Sequence, residues 1–305
     1  MEDFAFPLPS AADTLGGSDA RTHAQEHQAG ELGRFLRSRR DRLTPEDVGV
    51  PSYGRRRVAG LRREELAPLA GVSVTYYTRL EQGQSQNASD SVIESLARAL
   101  QLRPDERAHL FALARPGMIK RREIIQPEIP DPGARQLLYA MTSVPALLLG
   151  HSNDILAWNR AGHLLLADHL PVDAPDTEAH RPNHLKMLFL DATSRTLYRD
   201  WETEASEAVG SLRYIAAQFP EDRRLFELIG ELNDRSRDFS RLWTEHTVRL
   251  CTSGTKRLRH PLVGPLELNY ELLHLPDREG QRILTHSAPA GSAAQNTLQR
   301  LLDTL

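Results

Sequence analysis

The stretch Gly60 to Gly83, GLRREELAPLAGVSVTYYTRLEQG, constrains the fold more than any other part of the chain. Leu66, Ala67 and Ala70 recur at the three- and four-residue spacing of one buried helix face. Gly71 follows at once, and a glycine there can take the left-handed conformation that ends a helix. Ser73 is then placed to cap a second helix by accepting a backbone N–H. Val72, Tyr77 and Leu80 supply that helix's buried side, and Ala67 is small where the two helices cross. Two short helices around a tight turn make a helix-turn-helix. Val74, Thr75, Tyr76, Thr78 and Arg79 are left outward, the mixture of hydrogen-bonding groups and a cation that reading base edges in a major groove requires. An ordinary helical hairpin with a solvated outer face has the same spacing, so the flanking residues must decide.

Those flanks are basic. Between Leu32 and Arg79 stand eleven arginines, at 34, 37, 39, 40, 42, 55, 56, 57, 62, 63 and 79, against five acids. On one face such a cluster is an electrostatic footprint for phosphate. The net charge of −3 argues against a uniformly basic coat, and with only three lysines in the chain it is the clustering, not the choice of arginine, that carries weight. Arg55, Arg56 and Arg57 run consecutively just before the helix pair. With Arg63 and the Gln84 to Asn87 loop they are expected to hold DNA phosphates, a solvated charge run being the plainer reading.

A chain of 305 residues has room for about two domains, each with its own core. Residues 1–30 are rich in Ala, Ser, Asp, Gly and Pro without periodicity, which predicts a disordered leader. Residues 31–116 read as a compact all-α domain of five helices. The first spans Glu31 to Leu43, with Leu32, Phe35, Leu36 and Leu43 on one side. A fourth is buried through Val92, Leu96, Leu100 and Leu102, and a fifth, Asp105 to Ala114, through Leu110, Phe111 and Ala114. Pro127, Pro130 and Pro132 make residues 117–134 a semi-stiff Pro-rich linker.

From residue 135 to 305 the pattern mixes strands with helices. VPALLLG and DILAWN flank a turn-like HSN and read as a hairpin, after which Asn159 caps a helix through Leu164 to Leu170. Further helices are expected at His184 to Phe189, Ala192 to Ala217, Asp222 to Asn233 and Phe239 to Arg249. Strands return in GTKRLRHPLVGPLELNYELLHL and GQRILTHSA, where Leu266, Leu268, Tyr270 and Leu272 share one face at period two. An amphipathic helix from Ser292 to Leu305 ends the sequence. Two strands, several helices, then three strands most economically give one antiparallel sheet with helices against one face, an α+β PAS-like domain.

Nothing in this half spells out chemistry. His246, His260, His274 and His286 lack metal-ligand spacing, Cys251 lacks a nucleophile's local signature, and no phosphate-binding glycine loop follows a strand. No catalytic residue, metal or cofactor is expected, so the chain does not read as an enzyme. No apolar run approaches the roughly 20 residues of a membrane span. The acidic start is unlike a signal peptide, and a single cysteine suits a reducing compartment, which together predict a cytoplasmic location.

GRRRVAGLRREELAPLAGVSVTYYTRLEQG followed by SDSVIESLARALQLRPDERAHLF resembles the N-terminal domain of MmyB-like transcriptional regulators, within the phage-repressor (XRE) group of lambda-repressor-like helix-turn-helix proteins. Pro68, late in the first motif helix, departs from a regular helix. VPALLLGHSNDILAWN, LYRDWE, FSRLWTEHTV and HPLVGPLELNYELL resemble the C-terminal ligand-sensing domain of the same regulators. The resemblance implies a bacterial one-component transcription regulator that binds double-stranded operator DNA as a homodimer. It also implies a PAS-like pocket able, in some members, to hold a fatty-acid-like molecule. Leu147, Leu149, Trp158, Leu188, Phe189, Trp201, Phe239, Trp243, Leu268 and Tyr270 are the pool for that pocket, plain core packing being the alternative for each. Arg241, His246 and Asn159 are candidates to meet a carboxylate head. The rival readings are a second domain that only dimerises or recruits a partner, and a DNA-tethered enzyme.

Overall fold

The computed structural model describes residues 30–51, 60–84, 88–115, 128–220, 222–275 and 280–305. The expected leader, Arg55 to Arg57, Asn87 and most of the proline-rich linker lie outside them. Two compact units divide the chain, one built from residues up to Arg122 and the other chiefly from those after it.

The first unit is helical. Helix α1 covers residues 30–42, and a turn follows in which Asp47 accepts from the Thr44 amide and hydroxyl at 2.7 and 2.8 Å. Then come α2 (Arg63–Leu69), α3 (Val74–Glu81), α4 (Asp90–Ala99) and α5 (Pro104–Ala114). Gly71 takes φ +68° between α2 and α3, and Ser73 Oγ accepts from the Tyr76 amide at 3.1 Å, as the sequence predicts. Leu32, Phe35, Leu36, Leu66, Ala67, Tyr77, Leu80, Leu96 and Leu110 are sealed in the core. A Cβ on Gly33 would fall 2.2 Å from the Glu81 carbonyl oxygen, so α1 can approach the end of α3 only through a glycine. Two details differ from the sequence reading. In α4 the buried residues are Ile93, Leu96 and Ala97, with Val92 half-buried, and in α5 Leu113 joins Leu110 and Ala114 inside while Phe111 is half-buried.

The second unit holds α6 (Pro132–Ala140), β1 (Ala146–Leu149), β2 (Ile155–Trp158), α7 (Arg160–Leu166), α8 (His184–Leu190), α9 (Ala192–Leu197) and α10 (Trp201–Gln218). After these come α11 (Arg223–Arg235), α12 (Arg237–Thr244), β3 (Ser253–His260), β4 (Gly264–His274), β5 (Arg282–Ser287) and α13 (Ala293–Leu302). The five strands form one antiparallel sheet in the order β2-β1-β5-β4-β3. This is consistent with an α+β PAS-like domain.

The helices do not keep to one face. Ala134 and Leu138 of α6 pack on Ala146, Leu148 and Ile283, whereas Lys256, on the opposite face by register, reaches Glu204 and Glu207 of α10. Every residue of β1 and β2 is buried, which is the signature of strands covered on both sides and the reason their apolar runs do not alternate. The expected helix from Ala192 to Ala217 is broken at Tyr198 to Asp200, where Tyr198 bridges to Leu258 and the Arg199 amide donates to the Arg257 carbonyl. Two helices end sooner than the sequence suggests, α7 at Leu166 and α12 at Thr244.

Candidate nucleic-acid interface and ligand-binding domain

Helix α3 presents the residues expected to read bases. Val74, Thr75 and Arg79 are exposed, and Tyr76 and Thr78 half-buried. The Thr78 hydroxyl already donates to the Val74 carbonyl at 2.8 Å, so it can offer a base its acceptor lone pairs more readily than its proton. Arg79 makes no ion pair among the described residues, which leaves its guanidinium available.

What holds α3 in place is its last residue. Glu81 accepts from Arg40 Nε of α1 and from Arg63 Nε of α2, each at 2.7 Å, with its side chain almost fully sealed. Burial pushes the Glu81 carboxyl up, but the hydrogen bonds from Arg40 and Arg63 outweigh it and hold the group below the usual carboxylate range. Arg39 is buried against Glu106 at 2.9 Å. Arg39 and Arg40 therefore belong to the core and not to the basic surface that counting arginines suggests. Arg63 has its Nε committed to Glu81, and Gln84 is exposed.

Pro68 is exposed and sixth of the seven residues of α2. Its missing amide would serve only the last turn, and the turn continues through Ala70 to Leu66 and Val72 to Ala67 bonds at 3.1 and 3.0 Å. The interior penalty of roughly 3 kcal/mol therefore does not apply in full.

In the second unit the pocket pool is distributed over two neighbouring groups. Leu147, Leu268 and Tyr270 lie on the sheet face that looks toward α10, and Leu149 and Trp158 extend the sheet's apolar surface. Trp201, Phe189, Phe239 and Trp243 form a continuous aromatic chain in that order, with ring centroids 5.8, 5.1 and 5.6 Å apart in succession. Trp201 Nε1 donates to the carbonyl of Leu188, itself buried, at 3.0 Å. None of these ten residues lines the cleft of about 640 Å³ found between residues 170–183, α8 and Arg235. In that cleft Lys186 pairs with Glu231 and Asp191 with His169, both at 2.6 Å.

The three groups considered for a carboxylate head are placed otherwise. Asn159 is consumed by structure: its Oδ1 accepts from Gly162 and Ala146, and its Nδ2 donates to Met141 and Val144. Arg241 is exposed and tied to Glu202 and Glu245. His246 stands in the turn after α12 at φ +51°.

A cluster that the sequence reading missed ties three separate segments together. His151, in the β1–β2 turn, places Nδ1 2.9 Å from Glu128 and pairs through Nε2 with Asp222, the cap of α11. Burial alone would lower this imidazole, but the hydrogen bonds and charges of Asp222 and Glu128 win and raise it to about 9. Among the described residues no group of three or more His, Cys, Asp or Glu is arranged to hold a metal ion, and no helix is long and apolar enough to cross a membrane.

A helix-turn-helix unit in one chain with an α+β PAS-like unit defines a class: DNA-binding transcription regulators that carry a ligand-binding domain. The family comparison agrees on both halves. Residues 31–110 match the helix-turn-helix domain, and residues 130–302 match the MmyB-like transcription regulator ligand binding domain. Both are domains of transcription regulators, not of enzymes. Comparison with curated proteins finds no match. The chain belongs to the MmyB-like transcription regulators.

Proposed function

We propose that the chain is a one-component bacterial regulator that acts in the cytoplasm as a homodimer on operator DNA. Residues 31–116 serve as the DNA-binding domain, and residues 135–305 sense a small apolar, fatty-acid-like molecule. Val74, Thr75, Tyr76, Thr78 and Arg79 meet base edges. Arg55, Arg56, Arg57, Arg63, Gln84 and Asn87 hold phosphates, Arg63 through whatever capacity Glu81 leaves free. The observation that carries this reading is the outward face of α3, exposed at Arg79 and locked from behind by Glu81. The ligand is placed between α8, α10 and α12 and the sheet face bearing Leu147, Leu268 and Tyr270.

Genome-wide occupancy identifies the operator, and Arg79→Ala then tests the reading helix. It should cost roughly 1–3 kcal/mol on that site, while neutralising Arg56 weakens all sequences alike and lowers the salt slope by about one. Equal losses on specific and random DNA for Arg79→Ala would remove its reading role. Mass spectrometry of the natively extracted protein tests the sensor, and an empty second domain in every preparation would leave one that only dimerises or recruits a partner.

A further inference from the structure

The cleft of about 640 Å³ beside α8 takes no part in the apolar pocket proposed above, because none of that pocket's residues lines it. Its outer wall is the segment 170–183, LPVDAPDTEAHRPN, in which three prolines restrict the backbone and two 3-10 turns form, Ala174–Asp176 and Glu178–His180. The wall is tied down at both ends. His163 Nε2 donates to the Leu170 carbonyl at 2.8 Å, Trp158 Nε1 to the Val172 carbonyl at 2.7 Å, and the Ile155 amide to the Pro182 carbonyl at 2.8 Å. The space beside it is therefore a built feature of the fold, of the size that small organic ligands occupy.

Leu170, Pro182, Met187 and Leu190, all half-buried, give the cleft an apolar patch. Arg181 gives it charge. Its Nε donates to the Pro175 carbonyl at 3.3 Å and its Nη1 to the Glu128 carbonyl at 3.0 Å, which fixes the plane of the guanidinium, while Nη2 makes no hydrogen bond among the described residues. A half-buried guanidinium with only neutral acceptors keeps its full charge where water is partly excluded, and it favours an anionic oxygen. The other basic side chains of the wall are committed, since Lys186 and Arg235 share the carboxylate of Glu231. Two acids also line the cleft: Asp191, paired with His169, and Asp173, exposed and without a side-chain partner among the described residues. Asp173 disfavours a second negative charge, and the charged rim bounds the apolar patch too closely for a long chain.

We propose that this cleft is a second small-molecule site, separate from the apolar pocket, for a compact organic monocarboxylate. The carboxylate accepts from Arg181 Nη2, and a ring-sized apolar body lies on Leu170, Met187 and Leu190. Because Arg181 is already held in place by two carbonyls, little of its freedom is lost when the ligand binds.

The test is calorimetric titration of the full chain with 2-naphthoate, 2-naphthamide and 2-naphthylmethylammonium. The carboxylate should bind about ten-fold or more tighter than the amide, and the ammonium no tighter than the amide. Saturating decan-1-ol, a probe of the apolar pocket, should leave the carboxylate titration unchanged, and displacement by it would overturn a separate site. Arg181→Gln should bring the carboxylate down to the affinity of the amide. Arg181 also holds the Glu128 and Pro175 carbonyls, so if that variant does not fold, Asp173→Lys is read instead. At an exposed side chain it should tighten the carboxylate about three-fold and leave the amide unchanged. Equal binding of acid and amide, no binding of the acid, a preference for the ammonium, or an acid preference that neither substitution alters overturns the cleft as a carboxylate site. The apolar pocket and the DNA reading stand or fall by their own tests.

Discussion

Each unit buries an ion cluster that joins three segments, and the two clusters are opposites in charge. In the helical unit a carboxylate, Glu81, lies between the guanidiniums of Arg40 and Arg63. In the α+β unit an imidazolium, His151, lies between the carboxylates of Glu128 and Asp222. The first has no member that changes charge near neutral pH, since arginine stays protonated and Glu81 is held below the carboxylate range. The second has one that titrates at about 9. The DNA-binding unit is therefore fixed by charges that pH does not reach, whereas the ligand-binding unit is closed by a group that alkali can neutralise.

The comparison breaks most readily at Glu81. Glu81→Ala strands Arg40 beside a vacated partner in the core and should destabilise the helical unit by about 3–5 kcal/mol. Amide exchange across Leu66 to Leu80 measures this, and a loss near zero would reduce the cluster to a surface ion pair. A second test is alkaline pH. The His151 pKa is raised above its unfolded value near 6.5, so its contribution is complete below that value and disappears as pH rises through about 9. The α+β unit should lose up to about 3 kcal/mol between pH 6.5 and 10. Because Trp158, Trp201 and Trp243 all belong to that unit, fluorescence-detected urea unfolding follows it alone. His151→Gln should flatten this dependence, and an unchanged slope would mean that another group supplies it. Smaller still is the cap: Ser73→Ala should cost the helical unit about 1 kcal/mol by freeing the Tyr76 amide. Pro68→Ala should change stability least, a gain of about 1 kcal/mol or less, because only the last turn of α2 acquires an amide.

Local rules made the helical unit legible. Gly71, Ser73 and the spacing of Leu66, Ala67, Tyr77 and Leu80 act within a few residues of one another, and the structure keeps each as read. Arg39 and Arg40 were misleading because an arginine's burial depends on partners far along the chain, Glu106 and Glu81. In the second unit the strands were visible from period two, but the pairing of β1 with β5 depends on residues more than a hundred positions apart, and with it the union of Leu147, Leu284 and Leu272 on one face. The same alternation that marked Leu266 to Leu272 would have grouped Lys256 with Leu258 and His260, a lysine on an inward face. His151 carried no such signal, since it occupies a turn.

The anchoring of Glu81 by α1 and α2 also bears on how long a complex with DNA would last. On the reading proposed above, α3 docks already immobilised in the free protein and loses little further freedom, and the ordering that remains falls on exposed side chains such as Arg79. Variants that loosen Glu81 without unfolding the unit should then leave the rate of encounter with DNA nearly unchanged and shorten residence on the operator.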